Sequence, residues 1–380
     1  MDSRYDWQSD RGHEVEAIPN EMKVAFVYAG GRHLRGTEGP SDFFYGAREL
    51  ASLTGWSIDC LEVDPDPADP MTGVLAGRLL GKLVPPRTSA DWISRTRRLL
   101  PRLAGYDAVI STATEISFGL ALWKELGLLR NPLVGILCGV VNFPIGSRLR
   151  KAITSRLVRG MHVILFADSE EAEIRRRFHL GPDRLQSGWF GVDESFWTMS
   201  ERGLARGGVL AVGNDGRRDY GTLVKAARVL SEIQFTVITR LPAPHDLPAN
   251  IRWVRGEWKE NTVSDEGLRG AYQKAACVVV PLKESRQPSG QSVAMQAMMC
   301  GAPVVITKTA GWWGSDVIRD GMEVVLVSPG NAEELVAAIQ ASTSTSSLSA
   351  AKNALLDAKW TTKGFAERLA GIIQKARTLV

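Results

Sequence analysis

The stretch PSGQSVAMQAMMCGAPVV, residues 288–305, runs from a polar, glycine-containing turn into a small-residue helix and then an apolar strand. The first amides of such a helix, from Gly290 through Gln291 and Ser292 to Val293, have no acceptor within it. Together with the helix dipole they form a ready site for a phosphate group, and Gly290 lets the backbone approach an anion closely. A simpler alternative is that Ser289 merely caps the helix. Further along, Gln296 could reach a ribose hydroxyl if a phosphate lies at the helix start. Ala294, Ala297, Cys300, Gly301 and Ala302 keep the helix slim enough to pack against a sheet.

Other chemistry-bearing residues stand just beyond apolar runs. Glu115 follows DAVISTAT and is the best carboxylate for an acceptor hydroxyl, either binding it or acting as its base; it could also cap the helix that follows. Arg240 ends FTVITR. His33 follows the first apolar run and could contact an acceptor, although a loop histidine is more often merely solvated.

These residues need a scaffold that presents strand ends. KVAFVYAGG, WSIDCLEVD, DAVISTATE, PLVGILCGVV and HVILFADS read as strands buried on both faces, and helical stretches separate them. Ser41 can cap the first helix, through DFFYGARELASLTG. This alternation implies a doubly wound parallel sheet. A glycine- and turn-rich stretch interrupts it, after which GVLAVGNDG, FTVITR, IRWV, CVVVPL and PVVIT begin a second series. The expected organisation is an extension (1–21), a first Rossmann-like domain (22–190), a linker (191–207), a second Rossmann-like domain (208–360) and an amphipathic terminal helix (361–380). Two such sheets face each other across a cleft, where ligands of open α/β sheets bind.

Composition narrows the function classes. The chain has 380 residues, 44% of them hydrophobic and 23% charged, as in globular proteins. It shows no signal core and no apolar run of about eighteen residues, so a soluble, cytoplasmic protein is expected. Cys60, Cys138, Cys277 and Cys300 are scattered singly, without metal-ligand or disulfide spacing, and read as free thiols. A net charge of +4 fits anionic ligands, while the lack of an aromatic-basic strand pattern argues against nucleic acid. The basic amphipathic helix of residues 146–160 is either a solvated face or a contact for anionic membranes. DPDPADP, residues 64–70, is broken by prolines and reads as a loop, not a metal motif. The sequence does not indicate an oligomeric state.

Residues 268–338 resemble the carboxyl-terminal half of the family 4 glycosyltransferases, which have the two-domain GT-B fold. AMQAMMCGAPVV corresponds to the family's EAMACGxPVV helix and strand, and RDGMEVVLVSPGN to its DGxxGxLVxPGD segment. FGVDESFW and AVGNDGRRDYGTLVKAA are similar to two further family stretches, which extends the resemblance over most of 186–340. It implies transfer of a sugar, with retention, from a nucleotide diphosphate donor (UDP sugar favoured) to a hydroxyl acceptor, without metal or other cofactor. It also implies that Arg217 or Arg218 neutralises the donor diphosphate, that Gly30 and Gly31 lie near its phosphates, and that the terminal helix braces the first domain. Asn214 stands where the family usually has arginine, and Pro288 and Gln296 where it has two glutamates, so sugar contacts would pass to backbone amides and Glu284. A family histidine has no counterpart in LCGVVN. Alternatives are a non-catalytic nucleotide-sugar-binding protein and a GT-B nucleotide-sugar epimerase.

Overall fold

The structure, a computed structural model, describes residues 21–31, 39–63, 85, 88–142, 147–200, 205–314, 317–343 and 350–378. Residues 1–20, His33, the 64–70 stretch and most of STSTSSLSA lie outside the described residues.

The first sheet contains β1 (Lys23–Tyr28), β2 (Ser57–Glu62), β3 (Ala108–Ser111), β4 (Leu133–Ile136), β5 (His162–Leu165) and β6 (Leu185–Ser187). They pair in parallel in the order β2-β1-β3-β4-β5-β6. Helices α1 (Ala47–Thr54), α2 (Ala90–Leu103), α3 (Thr114–Glu125), α4 (Arg148–Arg159) and α5 (Asp168–Phe178) flank it. The second sheet contains β7 (Val209–Val212), β8 (Phe235–Thr239), β9 (Ile251–Arg255), β10 (Cys277–Val280), β11 (Val304–Thr307) and β12 (Val325–Val327), again all parallel, in the order β12-β11-β10-β7-β8-β9. Its helices are α6 (Tyr220–Val229), α7 (Asp265–Lys274), α8 (Gln291–Met299), α9 (Ala332–Thr343) and α10 (Ala350–Asp357), and α11 (Thr362–Thr378) follows. These are two Rossmann-like, doubly wound layers.

Each sheet is coated on both faces because successive side chains of a strand point to opposite sides. In β1, Ala25 and Val27 enter one core, while Val24, Phe26 and Tyr28 enter the other. In β7, Val209 and Ala211 alternate with Leu210 in the same way. This explains why the strands read as continuous apolar runs. The order in which strands are added reverses between β1 and β3 in one sheet and between β7 and β10 in the other, and a ligand crevice forms at such switch points.

The terminal helix crosses back. Phe365, Leu369 and Ile373 of α11 share a core with Val24, Phe26 and Leu50 of the first sheet and α1. The crossing is fixed by hydrogen bonds of Val192 N–H to Trp360 O (3.2 Å) and Thr362 N–H to Val192 O (2.9 Å). The first helix differs from its expectation. Ser41–Phe44 is a short 3-10 turn that no side chain caps, and the α-helix starts only at Ala47. Tyr45 (φ 53°) and Gly46 (φ 68°) are left-handed and break the helix between them. The Ser41 amide donates instead to Asp193 Oδ2 at 2.7 Å.

Candidate functional site

The start of α8 is open. Gly290 is its N-cap in the left-handed region (φ 75°, ψ 0°), and no side chain caps it. Ser289 is therefore not the cap; it is buried, and its carbonyl accepts from Trp313 Nε1 at 3.2 Å. The first intrahelical bond runs from Ala294 N–H to Gly290 O, which leaves the amides of Gln291, Ser292 and Val293 without intrahelical acceptors. Gly290 is required by contact as well as by φ, since a Cβ there would collide with Val280 Cγ1. Gln291 is buried with its Nε2 unpartnered, and Ser292 is half-buried.

Arg218 lies against this helix start. A Cβ on Gly290 would sit 3.6 Å from Arg218 Nη1, and the Arg218 side chain is only 3% exposed. Its Nε donates to Val212 O at 3.2 Å, and Nη1 is 3.1 Å from Asp215 Oδ2 without forming a hydrogen bond to any described residue. The main chain of Arg218 bridges to Leu282 beyond β10, which turns its side chain inward. Gly213 makes room for the guanidinium, and its carbonyl accepts from Tyr220 Oη and Thr239 Oγ1, both at 2.7 Å. A buried guanidinium with an unused N–H face beside unpaired helix amides is a binding site for phosphate oxygens.

The other second-domain residues divide by role. Arg217 is half-buried; its amide donates to Asp215 Oδ1 (2.8 Å) and its carbonyl accepts from Lys283 N–H (2.8 Å), so its side chain projects from a clamped loop. Asn214 uses both ends of its amide on the backbone: Nδ2 donates to Gly256 O (2.8 Å) and Oδ1 accepts from Arg240 N–H (2.7 Å). It ties together the loops beyond β7, β8 and β9. Arg240 is exposed, 3.6 Å from Glu257 Oε2. Glu284 Oε1 accepts from Ser285 N–H and Ala310 N–H, both at 2.9 Å, and so clamps the loops after β10 and β11.

Gln296 is placed differently from the expectation of a ribose contact. It is 3% exposed, its Nε2 donates to Asp42 Oδ2 of the first domain (2.8 Å), and its Oε1 accepts from Tyr272 Oη (3.3 Å). Trp197 Nε1 donates to the same Asp42 oxygen at 3.0 Å, while Asp42 Oδ1 is buried without a partner. Burial pushes Asp42 up to about 7; the hydrogen bond from Gln296 works against this, and the charge of Asp193 adds to it. The amide of Gln296 thus faces the domain interface because a buried carboxylate there requires donors.

Across the cleft, the loop after β4 touches the turn before α8. Cys138 Sγ lies 3.9 Å from Pro288 O, and a Cβ on Gly139 would be 2.5 Å from Gln287 Oε1. Thr114 at the start of α3 holds this loop by accepting from Cys138 N–H at 3.0 Å. Glu115, the next residue, is half-buried and makes no hydrogen bond or ion pair to any described residue. Gly30 and Gly31 have positive φ (97° and 86°), and Gly31 N–H donates to Glu62 Oε2 at 3.2 Å. Sequence reasoning missed Asp42 and Glu170. Glu170 is fully buried in the first turn of α5, and its Oε1 accepts from Gly139 N–H at 2.9 Å. Burial pushes it up to about 8. In the sequence, EEAE reads as an ordinary acidic first turn. Among the described residues no cluster of three or more His, Cys, Asp or Glu could hold a metal ion, and no helix is long and apolar enough to cross a membrane.

Comparisons with known proteins follow this geometry. Residues 208–344 match the family model of the group 1 glycosyl transferases. No curated protein sequence matches the chain. Among solved structures, Anabaena HepE in complex with UDP and glucose is 14% identical, with a TM-score of 0.64 over 92% of this chain and 98% of its own. Sucrose-phosphate synthase from Thermosynechococcus elongatus is 18% identical, with a TM-score of 0.60 over 93% and 94%. The E. coli trehalose-6-phosphate structure bound with UDP-2-fluoro glucose is 10% identical, with a TM-score of 0.64 over 94% and 99%. At such identities the likeness is one of fold. The chain therefore has the two-domain GT-B fold, and residues 208–344, within its second domain, match the group 1 glycosyl transferases.

Proposed function

We propose that the protein transfers a sugar from a nucleotide diphosphate donor, a UDP sugar first, to a hydroxyl acceptor, with retention and without a metal ion. One observation carries this reading: the uncapped start of α8, with the buried Arg218 guanidinium against Gly290. In the reaction the bond from the anomeric carbon to the diphosphate breaks, a bond to the acceptor oxygen forms, and the acceptor proton passes to the departing diphosphate. The main requirement is stabilisation of the charge that builds on this leaving group. The amides of Gln291, Ser292 and Val293 and the Arg218 guanidinium supply it, and Arg217 and Arg240 add positive charge on neighbouring loops. Gly30 and Gly31 close the site from the first domain, and Glu115 serves as the acceptor-side carboxylate. Uridine is favoured because structures similar in fold hold UDP or a UDP sugar.

A cytoplasmic location goes with this reading, since reduced thiols persist there and none of the four cysteines is in a disulfide. Peripheral contact with an anionic membrane is supported by α4, which exposes Arg148, Lys151, Arg156 and Arg159 beside Leu149.

The test is a thermal-shift panel of UDP, GDP and ADP sugars, since a ligand that binds only the folded state raises the midpoint. A UDP sugar is expected to raise it in the wild type. Arg218→Ala should weaken binding by about tenfold or more, the worth of a charge-assisted hydrogen bond. If no nucleotide diphosphate shifts the midpoint at millimolar concentration, the donor site is wrong. If binding occurs but neither transfer nor donor hydrolysis is detected, the protein is a nucleotide-sugar binder instead.

A further inference from the structure

A turn of the first domain meets the turn that leads into α8, and buried side chains fix it from behind. Val140–Asn142, just beyond β4, forms a 3-10 turn in which Asn142 N–H donates to Gly139 O at 3.1 Å. Three side chains grip this stretch of backbone. Thr114, at the start of α3, accepts from Cys138 N–H at 3.0 Å and donates to Cys138 O at 3.3 Å. Glu170, in the first turn of α5 and fully buried, accepts from Gly139 N–H at 2.9 Å, and the Val141 amide also favours its charged form. Arg177, seven residues further along the same face of α5, donates to Val140 O at 3.4 Å and to Val141 O at 3.3 Å. A carboxyl group thus holds the amide side of the turn and a guanidinium its carbonyl side. Gly139 (φ 74°) presents bare backbone to the second domain. A Cβ there would lie 2.5 Å from Gln287 Oε1 and 2.7 Å from Gln287 Cδ. Gln287 Oε1 is buried without a hydrogen-bond partner among the described residues, so contact with Gly139 seats the side chain. The main chain of Gln287 is fixed as well: its N–H donates to Ser285 Oγ at 3.0 Å, and a Cβ on Gly311 would be 2.5 Å from its carbonyl oxygen.

Gln287 stands three residues before Gly290, so whatever fixes it against the first domain also fixes where the open amides of α8 stand. We propose that Glu170 is a positioning residue for the donor phosphates: it makes the 139–142 turn a rigid seat for Gln287, and through Gln287 it holds the start of α8 in place. This role rests on the donor reading of α8, since a seat for Gln287 matters to a ligand only if that ligand sits on the helix that follows. An apolar side chain would fill the space of Glu170 without the cost of burying a carboxyl group. It would, however, leave Gly139 N–H, buried against the second domain, without an acceptor. Burial pushes the Glu170 carboxyl up to about 8, so glutamine copies its charge at neutral pH as well as its shape.

The test is isothermal titration of the full chain with UDP at neutral pH, with thermal midpoints measured alongside. Glu170→Ala should weaken UDP binding by about tenfold, the worth of one lost hydrogen bond, whereas Glu170→Gln keeps an acceptor for Gly139 N–H and should bind within about threefold of the wild type. Gln287→Ala should weaken binding by a similar factor. The double variant Glu170→Ala, Gln287→Ala should bind no more weakly than Gln287→Ala alone, because the two residues act through one contact. A purely structural Glu170 would lower the midpoint and leave UDP affinity unchanged, and that result overturns the proposal. So do losses that multiply in the double variant. Where Glu170→Ala does not fold, Gly139→Ala tests the same seat: its Cβ meets Gln287, so UDP binding should weaken by about tenfold, and an unchanged affinity overturns the proposal. If the wild type binds neither UDP nor a UDP sugar at millimolar concentration, the donor reading fails and this role falls with it. Wild-type binding that none of these substitutions alters refutes this role alone.

Discussion

Substituting Asp42 by asparagine should make the protein more stable above neutral pH. Asp42 is fully buried, accepts hydrogen bonds from Trp197 and Gln296 on one oxygen, and has no partner on the other. Burial raises it from 3.8 to about 7. Between those values the folded protein keeps the proton while the unfolded chain has lost it. Stability therefore falls as pH rises through this window and levels off above about pH 7. Each tenfold change in proton affinity is worth about 1.4 kcal/mol, so the full cost of the buried carboxylate is roughly 4 kcal/mol. Asparagine keeps the acceptor for Trp197 and Gln296. It also puts an amide nitrogen where the unpartnered oxygen stood, within the field of Asp193 and Asp265, and it carries no charge. Allowing for relaxation around the site, Asp42→Asn should gain roughly 2 to 4 kcal/mol at pH 8 and about 2 to 3 kcal/mol less at pH 5, where the unfolded chain has already lost the proton and part of the cost is present. The assay is the thermal midpoint of both proteins across that range, where each kcal/mol corresponds to about 2 to 4 °C for a domain of this size. Glu170 and His162 titrate in both proteins, so their contributions cancel in the difference. A variant less stable than the wild type at pH 8, or a difference that does not change between pH 5 and pH 8, would refute the reasoning.

Two further substitutions probe α8. Gly290→Ala combines a left-handed φ of 75° with a collision against Val280, so it should cost roughly 1 to 3 kcal/mol and weaken nucleotide binding as the helix start shifts. Gly55→Ala, at φ 72° with nothing near its Cβ, gives the backbone cost alone; equal losses at the two sites would show that the Val280 contact does not matter. Gln296→Glu puts a second carboxylate against Asp42, where Gln296 Nε2 now donates at 2.8 Å, and should lower the midpoint at pH 8, with recovery when combined with Asp42→Asn. An unchanged midpoint together with an altered nucleotide preference would return Gln296 to the donor site.

The fold was readable because parallel strands coated on both faces leave continuous apolar runs, and because the start of α8 is written as Pro-Ser-Gly before a slim helix. The choice between Arg217 and Arg218 was not readable. It depends on the bridge from Arg218 to Leu282, some sixty residues away in the chain, which turns one arginine inward and leaves its neighbour in the loop. Asn214 and Glu284 look like ligand contacts in a sequence, but their side chains hold backbone amides of adjacent loops. Asp42 and Glu170 sit in stretches that read as ordinary polar helix starts. Their burial comes from distant segments, Trp197 and Gln296 for Asp42 and the 139–141 loop for Glu170, and no local pattern records it.

The position of Gln296 connects the two functions of α8. Ser292 and Gln296 are four residues apart, so they lie one above the other on the same face of the helix. The lower end of that face is locked to the first domain through Asp42, and the upper end adjoins the open amides beside Arg218. The turn that leads into the helix also meets the first domain, where Cys138 and Gly139 contact Pro288 and Gln287. An anion at the start of α8 would therefore bind to a helix already held at both ends by the opposite domain. Moving the domains apart would require breaking the Asp42–Gln296 hydrogen bond, and that would leave a carboxylate with a raised proton affinity short of one of its two donors. The interface thus holds α8 against the first domain through residues that need not touch the donor.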